Sequence, residues 1–178
     1  MPAAPWPTGC VQIYTGDGKG KTTAAFGLAL RAAGRGLRVW VGQFMKGTPY
    51  GEVAACSALP GIAVEQLGST GHLTRGEAVP PAERALALAG LSRAAEVLAD
   101  GLTRVVILDE LCVALFYDLV LREEVEALLD TRPAGVELVL TGRYAPDWLL
   151  ARADLVTVMG EARHPWRVGL AARDGIER

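Results

Sequence analysis

The sequence predicts an α/β protein with a parallel β-sheet and helices packed on both faces of that sheet. Short apolar runs rich in β-formers alternate with helix-forming segments along the chain, which is the pattern of β-α-β units. A glycine-rich stretch over 15–23 joins the first apolar run to an alanine-rich helix, as a phosphate-binding loop does. The buried strand predicted over Thr103–Asp109 ends in the carboxylates Asp109 and Glu110, which often accompany such a loop. Together these observations predict a RecA-like P-loop NTPase fold.

Length and composition limit the classes of protein that this chain can represent. Its 178 residues fit one domain, which we assign to 10–178 after a flexible, proline-rich N-terminal arm over 1–9. The formal net charge is −2 and there are no long charged runs, so the sequence does not predict a basic surface that would bind nucleic acid or an anionic membrane. We find no apolar run of membrane-spanning length and no signal segment. The three widely spaced cysteines suit a reducing compartment, so we expect a cytoplasmic protein with small-molecule partners.

The stretch Thr15-Gly16-Asp17-Gly18-Lys19-Gly20-Lys21-Thr22-Thr23 is the strongest functional signal. Its glycines let the backbone turn inward, so that amide groups and the start of the next helix point at one anion. Lys21 would bring a mobile positive charge to the phosphates, and the Thr22 hydroxyl would hold a Mg²⁺ ion that bridges them. The usual pattern has glycine at the position of Thr15 and none at Gly18, so the loop is a variant. The alternative is a turn that only links a strand to a helix.

The first half of the chain predicts three strands with helices between them. The nearly continuous apolar character of 37–44 is typical of a parallel strand that is covered on both faces. Gly34 and Gly36 supply the stop of the first helix. In order, the predicted segments are a strand over 10–14, a helix over 21–35, a strand over 37–44, a short helix over 51–59, a strand over 62–67 and a long loop over 68–81.

The second half continues the alternation of helices and strands. The helix over 83–99 carries Leu86, Ala89, Leu91 and Leu98 among its apolar positions, so we interpret it as amphipathic with these residues toward the core. The further segments are a strand over 103–109, helices over 111–117 and 121–130, a strand over 136–140, a short helix over 148–153 and a last strand over 155–159. In the tail that follows, Trp166 is more typical of packing than of ligand stacking.

Several polar residues follow strands or flank the loop and are candidate ligand contacts. Ligands of open α/β sheets bind beyond the carboxyl ends of the strands, which is where Gln43, Lys46, Thr48 and Thr141-Gly142-Arg143 are expected. Lys46 is either a second phosphate contact or a solvated lysine. Arg143 either neutralises triphosphate charge or pairs with a nearby acid, and we favour the site role. Arg31 either reaches back to the nucleotide or is a solvated arginine near the helix C-terminus.

The acids at the end of the fourth strand are candidate metal ligands. One of Asp109 and Glu110 would bind Mg²⁺ directly or through its water, and the other would orient it, because this hard cation takes oxygen ligands. The pattern alone predicts only that the protein binds a nucleotide with Mg²⁺, since the same fold occurs in kinases, GTPases, motors and other transferases. There is no Asn-Lys-x-Asp guanine-reading motif.

A set of motifs in this order resembles the ATP:corrinoid adenosyltransferases from about Cys10 to the C-terminus. The variant loop, with an additional Gly-Lys before Gly-Lys-Thr-Thr, is the most specific of them. The motifs are Thr-Gly-Asp-Gly-Lys-Gly-Lys-Thr-Thr-Ala-Ala-Phe-Gly over 15–27, Gln-Phe-Met-Lys-Gly over 43–47, Gly51-Glu52, Leu-Asp-Glu-Leu over 108–111, Thr-Gly-Arg over 141–143 and Ala153-Asp154.

The resemblance implies a reaction in which ATP donates its adenosyl group. Co(I) of a reduced corrinoid, cob(I)alamin or cob(I)yrinic acid a,c-diamide, would attack the ribose 5′-carbon, and triphosphate would leave, in adenosylcobalamin biosynthesis or salvage. The implied catalytic residues are Lys21, Thr22 and Glu110, with Mg²⁺ or Mn²⁺ held by Thr22 and Glu110 and supported by Asp109. A flavoprotein reductant and a homodimer are further implied partners. The expected ATP contacts are Thr15, Gly16, Asp17, Gly18, Lys19, Gly20, Lys21, Thr22, Thr23, Arg31, Lys46 and Arg143.

The chain departs from the family where the corrinoid is expected. Family members wall the lower face of the corrin with aromatic side chains from the loop before the long helix. If Thr70-Gly71 is aligned on the Thr-Gly of the family, the aromatic positions fall on His72 and Thr74, with Leu73 between them. His72 either covers the corrin face or is a solvated loop histidine. The alternatives to transfer are a small-molecule kinase or ATPase and a nucleotide-dependent protein that delivers a corrinoid without chemistry.

Overall fold

The computed structural model describes residues 8–48, 50–69 and 73–177. Within these residues, the strands are β1 (Val11–Thr15), β2 (Arg38–Phe44), β3 (Ile62–Leu67), β4 (Thr103–Asp109), β5 (Glu137–Thr141) and β6 (Leu155–Val158). The helices are α1 (Lys21–Ala33), α2 (Gly51–Ser57), α3 (Pro81–Ala99), α4 (Leu111–Phe116), α5 (Arg122–Thr131) and α6 (Asp147–Leu150), and a 3₁₀ turn covers Pro165–Val168.

All six strands form one parallel sheet in the order β3-β2-β4-β5-β1-β6. The predicted parallel sheet is therefore confirmed. Strand β5 lies between β1, which leads into the glycine-rich loop, and β4, which ends in the acids. Because parallel strands end at one edge of the sheet, the loop, the acids and the end of β5 meet there.

Helices cover both faces of the sheet, as predicted. On one face, α1 packs over a small core that includes Ala25, Ala29, Val41 and Ile107. On the other face, α3, α4 and α5 cover a larger core. Strand β2 is buried over 39–44, because its side chains alternate between these two cores. This explains why its sequence is apolar almost throughout.

The buried face of α3 differs from the predicted one. Leu91 and Leu98 are buried as expected, but Leu86 and Ala89 are exposed. A Cβ atom on Gly90 would lie 3.0 Å from both Leu67 and Phe44, so the helix approaches the sheet closely there. Small residues decide the face of this helix, which is apolar around most of its circumference. The buried residues are Ala87, Gly90, Leu91, Ala94, Val97 and Leu98.

Several element bounds also differ from the predicted ones. Helix α3 begins at Pro81, which the sequence placed at the end of the preceding loop; proline is favoured in the first turn of a helix because its missing N–H has no partner there. Helix α1 ends at Ala33, and the left-handed φ of +78° at Gly36 turns the chain into β2. Helix α6 is shorter than predicted and spans Asp147–Leu150.

The described residues before β1 and after β6 lie outside both hydrophobic cores. Residues 1–7 of the predicted arm lie outside the described residues, and the backbone N–H of Gly9 donates to Ala134 O at 2.6 Å. Trp166 was predicted to pack against the protein. That prediction is wrong, because its side chain is 69% exposed. Among the described residues, no helix is long and apolar enough to cross a membrane.

Candidate nucleotide site

The glycine-rich loop is folded tightly against the residues that follow β6. Gly16 and Gly20 have φ values of +98° and +118°, which side chains rarely adopt. A Cβ atom on Gly18 would lie 2.6 Å from Gly160 O, and the Gly18 N–H donates to Met159 O at 2.8 Å. The variant Gly18 is therefore required by this close backbone approach. The loop leads into α1, whose first turn begins at Lys21.

Lys21 curls back over the loop. Its ammonium group donates to Gly16 O and to Gly18 O, each at 2.7 Å. Burial lowers the pKa of Lys21 below its ordinary value, and the charge of Arg143 lowers it further. The ammonium thus lies at the concave side of the loop, where the backbone amides would gather an anion.

Asp109 is fully buried at the end of β4 and connects the elements of the site. Its Oδ1 accepts hydrogen bonds from the Thr22 hydroxyl at 2.9 Å and from the Thr141 hydroxyl at 2.7 Å. Its Oδ2 accepts from Lys46 Nζ at 2.8 Å and from Gln43 Nε2 at 3.2 Å. All its lone pairs are used, so this carboxylate holds the loop, β2 and β5 in a fixed arrangement.

Glu110 lies beside Asp109 with a backbone that points its carboxylate differently. Its φ is +62°, and its N–H donates to the Thr141 hydroxyl at 3.0 Å. Its carboxylate lines the cleft, and among the described residues no side chain donates to it. Burial raises the pKa of Glu110, and the charge of Asp109 raises it further. A cation bound here would relieve both effects.

Lys46 is not a freely solvated loop lysine. Its ammonium lies 2.8 Å from Asp109 and 3.7 Å from Glu52. Burial alone would lower the pKa of Lys46, but the charge and hydrogen bond of Asp109 outweigh it and raise the pKa. Lys46 is therefore held cationic at the floor of the cleft.

Arg143 follows β5 and lies at the rim of the loop. Its guanidinium donates to Asp17 O at 3.1 Å. The side chain is exposed and lines two neighbouring cavities, so it can turn toward a ligand in either one. Gly142, the residue before Arg143, has a left-handed φ of +133° that directs the chain to this rim. A side chain would not fit there, because a Cβ atom on Gly142 would lie 2.9 Å from the Cβ atom of Cys112.

Lys21, Glu110, Lys46 and Arg143 line one cleft of about 940 Å³, whereas Asp109 is fully buried and does not line it. Its floor is polar, and much of its remaining wall comes from the C-terminal tail, which the sequence did not connect with the site. Lys19 faces that tail: its ammonium donates to Ile176 O at 2.7 Å and pairs with Glu177 at 3.4 Å. The predicted site residues that line the cleft are Gly18, Lys19, Gly20, Lys21, Thr22, Thr23, Lys46, Glu110 and Arg143.

Other predicted residues lie apart from the cleft or outside the described part of the chain. Arg31 is exposed in the last turn of α1, roughly 15 Å along the helix from its start, and does not line the cleft. His72 lies outside the described residues. Leu73 packs against the larger core, and Thr74 is exposed. The structure therefore brings neither described residue of this loop into the cleft.

The sequence analysis assigned no role to two polar residues of the site. Thr141 contacts both acids, and Gln43 contacts Asp109 and Glu52. Both lie at or near the carboxyl end of a strand, the same signal that singled out Lys46 and Arg143. That signal places Gln43 and Thr141 at the ligand edge, but their contacts with the acids depend on the strand order.

The donor set fits a hard divalent cation. The Thr22 hydroxyl and the Glu110 carboxylate supply oxygen ligands, and the Glu110 carboxylate takes no hydrogen bond from the described side chains. Within the described ranges, no three His, Cys, Asp or Glu side chains form a metal-binding group. An ion at this site would take its other ligands from phosphates and water. Thr22 and Glu110 could hold it, and Asp109 could support it through its hydrogen bond with Thr22.

The fold and the site together define the class of protein. A parallel sheet carries a glycine-rich loop after β1, a lysine within that loop, and acids at the end of β4 with β5 in between. The chain is a P-loop nucleotide-binding protein of the RecA-like type.

Comparison with known proteins gives the family within that class. The model of the family described as ATP:corrinoid adenosyltransferase BtuR/CobO/CobP matches residues 7–178. Corrinoid adenosyltransferase CobA of Salmonella typhimurium is 39% identical over 171 residues, which cover 95% of this chain and 85% of that protein. The corrinoid adenosyltransferase of Pseudomonas aeruginosa is 35% identical over 174 residues, covering 95% and 83%. The chain belongs to the ATP:corrinoid adenosyltransferase family.

Proposed function

We propose that this protein transfers the 5′-deoxyadenosyl group of ATP to Co(I) of a corrinoid and releases triphosphate, in adenosylcobalamin biosynthesis or salvage. The observation that carries the proposal is that the glycine-rich loop, Lys21 and Glu110 line one cleft in a chain of this family, with buried Asp109 bonded to Thr22 of the same cleft. The acceptor would be cob(I)alamin or cob(I)yrinic acid a,c-diamide.

In this reaction triphosphate is the leaving group, so the glycine-rich loop would bind the leaving group. The cobalt of the corrinoid substrate supplies an electron pair to the ribose 5′-carbon, a cobalt–carbon bond forms, and the bond between this carbon and the triphosphate oxygen breaks. The protein needs no side-chain nucleophile. Its loop amides and Lys21, which are fixed before the reaction begins, would stabilise the negative charge that gathers on triphosphate, and the exposed Arg143 would turn toward it.

The acids and the lysine at the cleft floor have separate roles in this proposal. Thr22 and Glu110 would hold Mg²⁺ or Mn²⁺, and Asp109 would keep the Thr22 hydroxyl in place through its hydrogen bond. When bound, the ion would neutralise charge on the phosphate oxygens. Lys46 offsets the negative charge of buried Asp109, so that the floor does not repel the phosphates.

We also propose the partners and the location of the reaction. We place the corrinoid near the loop that contains 72–74 and the reaction in the cytoplasm, with a flavoprotein as reductant, as the family likeness implies.

We further propose a homodimer. Support comes from β6, an edge strand on which Leu155 is 43% and Val158 68% exposed, because exposed apolar edge strands are usually covered. Light scattering on a chromatography column would show a mass near 18.8 kDa if the dimer does not form.

The function is tested by mixing the purified protein with ATP, MgCl₂ and chemically reduced cob(I)alamin without oxygen. The corrin absorption spectrum should change to that of the light-sensitive adenosyl form, and the change should require ATP. An unchanged spectrum with intact corrinoid and ATP would contradict the proposal. Release of ADP or phosphate without spectral change would favour a kinase or an ATPase.

A further inference from the structure

The indole of Trp166 is a large apolar surface on the wall of the nucleotide cleft. It is 69% exposed and lines the cleft that contains Lys21, Thr22 and Glu110. It also borders the second cavity, which shares Arg143 with the first. An exposed indole gains no free energy from burial, and a ligand that covers Trp166 in the cleft would supply that burial.

Trp166 differs from the other described tryptophans in having an open ring. Trp40 is buried and donates its indole N–H to Glu65 at 2.8 Å, and Trp148 lies under the guanidinium of Arg122. Within the described part of the chain, neither an aromatic ring nor a cation stacks on Trp166. Its face is therefore available to a flat partner.

The tail holds the indole in a defined place. Trp166 lies in the 3₁₀ turn Pro165–Val168, where proline fixes the first residue and the Trp166 N–H donates to His164 Nδ1 at 3.2 Å. Arg167 pairs with Glu161 at 2.8 Å across the base of the turn. A backbone fixed in this way presents the ring at a low entropic cost of binding.

The two sides of the cleft match the two ends of a nucleotide. The floor offers cations and backbone amides, whereas the tail wall presents Trp166 with Pro165, Leu170 and Ile176. A polyphosphate bound on the floor would carry its base toward that apolar wall. The other described aromatic side chains that line the cleft already have partners. Tyr144 stacks on Phe116 with ring centroids 4.0 Å apart, and Tyr117 packs edge-on against the same ring. Tyr50 lies 5.2 Å from the ammonium of Lys46, and Phe26 packs against the small core under α1.

We propose that Trp166 stacks on the adenine base of ATP and that the C-terminal tail forms the base-binding wall of the site. This assignment rests on the proposed function for the identity of the nucleotide. The corrinoid would then enter over the remaining wall of the cleft. A base stacked on an aromatic side chain contributes enough to binding that its loss weakens affinity by about 5- to 100-fold.

The test compares ATP with inorganic tripolyphosphate, which has the phosphates and lacks the base. Affinities are measured by calorimetry with Mg²⁺ for the wild type, Trp166→Ala, Trp166→Phe and the control Trp148→Phe. We expect Trp166→Ala to weaken ATP binding by about 5- to 100-fold and to leave tripolyphosphate binding within about twofold. Trp166→Phe should retain most of the ATP affinity, because a phenyl ring also stacks.

Tryptophan fluorescence gives a second readout that does not depend on turnover. ATP should quench the emission of the wild type and of Trp148→Phe, but not that of Trp166→Phe, and tripolyphosphate should quench none of them. Equal losses of ATP and tripolyphosphate affinity in Trp166→Ala would overturn the base assignment, as would no loss at all. Adenosyl transfer can fail while ATP still quenches Trp166, and that result would overturn only the proposed function.

Discussion

At the scale of single residues, the site depends on charges that the protein has already paired. Lys21 is held by two loop carbonyls, Lys46 by Asp109, and Asp109 by four donors. Groups fixed in this way need little rearrangement when triphosphate charge develops, which is the condition for strong electrostatic stabilisation.

Replacement of Lys21 tests this directly. Lys21→Ala should lower kcat for adenosyl transfer by about 10²- to 10³-fold, or about 2.7–4 kcal/mol, as loss of one preorganised donor does. Steady-state kinetics with ATP and reduced corrinoid measure the effect. Arg35→Ala, beyond the far end of α1, is the control and should keep the wild-type rate. Wild-type turnover in Lys21→Ala would remove this residue from the mechanism.

Thr141 is a positioning residue, because it acts on both acids and does not line the cleft. Thr141→Val removes the hydroxyl that donates to Asp109 and accepts from the Glu110 N–H. We expect the Mg²⁺ concentration for half-maximal activity to rise by about 10- to 100-fold, as for other groups that orient metal ligands. Thr141→Ser should restore it. If Thr141→Val only lowers the melting temperature and leaves the Mg²⁺ dependence unchanged, its role is structural.

The residues of the site were predictable where a local sequence motif identifies them. The glycine-rich loop and the acids after β4 are local signals, so their residues could be found from sequence. The role of Thr141 was missed because it depends on β5 lying between β1 and β4, a fact of strand order. Arg31 was considered because it is a cation on the right helix, but the length of α1 carries it away from the cleft.

At the scale of elements, α3 and α5 are joined by a charged clamp beside the larger core. Both terminal guanidinium nitrogens of Arg84 donate to Glu124, at 2.6 and 2.9 Å. Glu124 also accepts from the Leu121 N–H at 2.7 Å, which caps α5. The hydrogen bonds from Arg84 hold the pKa of Glu124 below its ordinary value.

Glu124→Gln should therefore lower the free energy of unfolding by about 1–2 kcal/mol at pH 7, because it weakens a bidentate pair and a cap. A carboxylate whose pKa is lowered by folding stabilises the protein above its unfolded pKa, and this contribution is lost as pH falls through the folded value. The difference between the proteins should thus shrink below about pH 4. Urea unfolding at several pH values measures it. Glu126→Gln, in an exposed pair on the same helix, should cost less, and equal losses would contradict the clamp.

The elements themselves were predictable to different degrees. Strands β3 and β4 have the predicted bounds, because a buried strand is a short apolar run with abrupt ends. The face of α3 was not predictable in the same way. Apolar residues occur around the helix, and the close approach at Gly90 decides which of them are buried.

At the scale of the whole molecule, the C-terminal tail returns to the loop that follows β1. Lys19 of that loop pairs with Glu177, and Glu177 is held in turn by Arg173. The hydrogen bonds from Arg173, with the charge of Lys19, lower the pKa of Glu177 to about 2. The contact therefore persists at physiological pH and is lost only as pH falls through that value.

Glu177→Gln should loosen the tail, because it removes the charge that holds both cations. We expect trypsin to cleave after Arg173 several-fold faster than in the wild type at pH 8, as followed by mass spectrometry. The control Glu123→Gln, on the exposed surface of α5, should leave the cleavage rate unchanged. Equal rates in all three proteins would show that the pair does not hold the tail.

The overall architecture was predictable from the alternation of strands and helices, whereas the position of the tail was not. The α/β pattern repeats throughout the sequence, and each repeat constrains the next. The tail has no such periodicity, and its place depends on contacts between distant residues such as Lys19 and Ile176. For this reason Trp166 was assigned to packing, although it is exposed in the cleft wall.

The central claim is that the glycine-rich loop binds triphosphate as the leaving group of an adenosyl transfer. Phosphorus NMR of a reaction with ATP, MgCl₂ and excess reduced corrinoid tests it most directly. We predict one intact triphosphate for each adenosylated corrinoid, and almost none in Lys21→Ala over the same time. Formation of ADP and phosphate, or of adenosylated corrinoid at the same rate in Lys21→Ala, would contradict the claim.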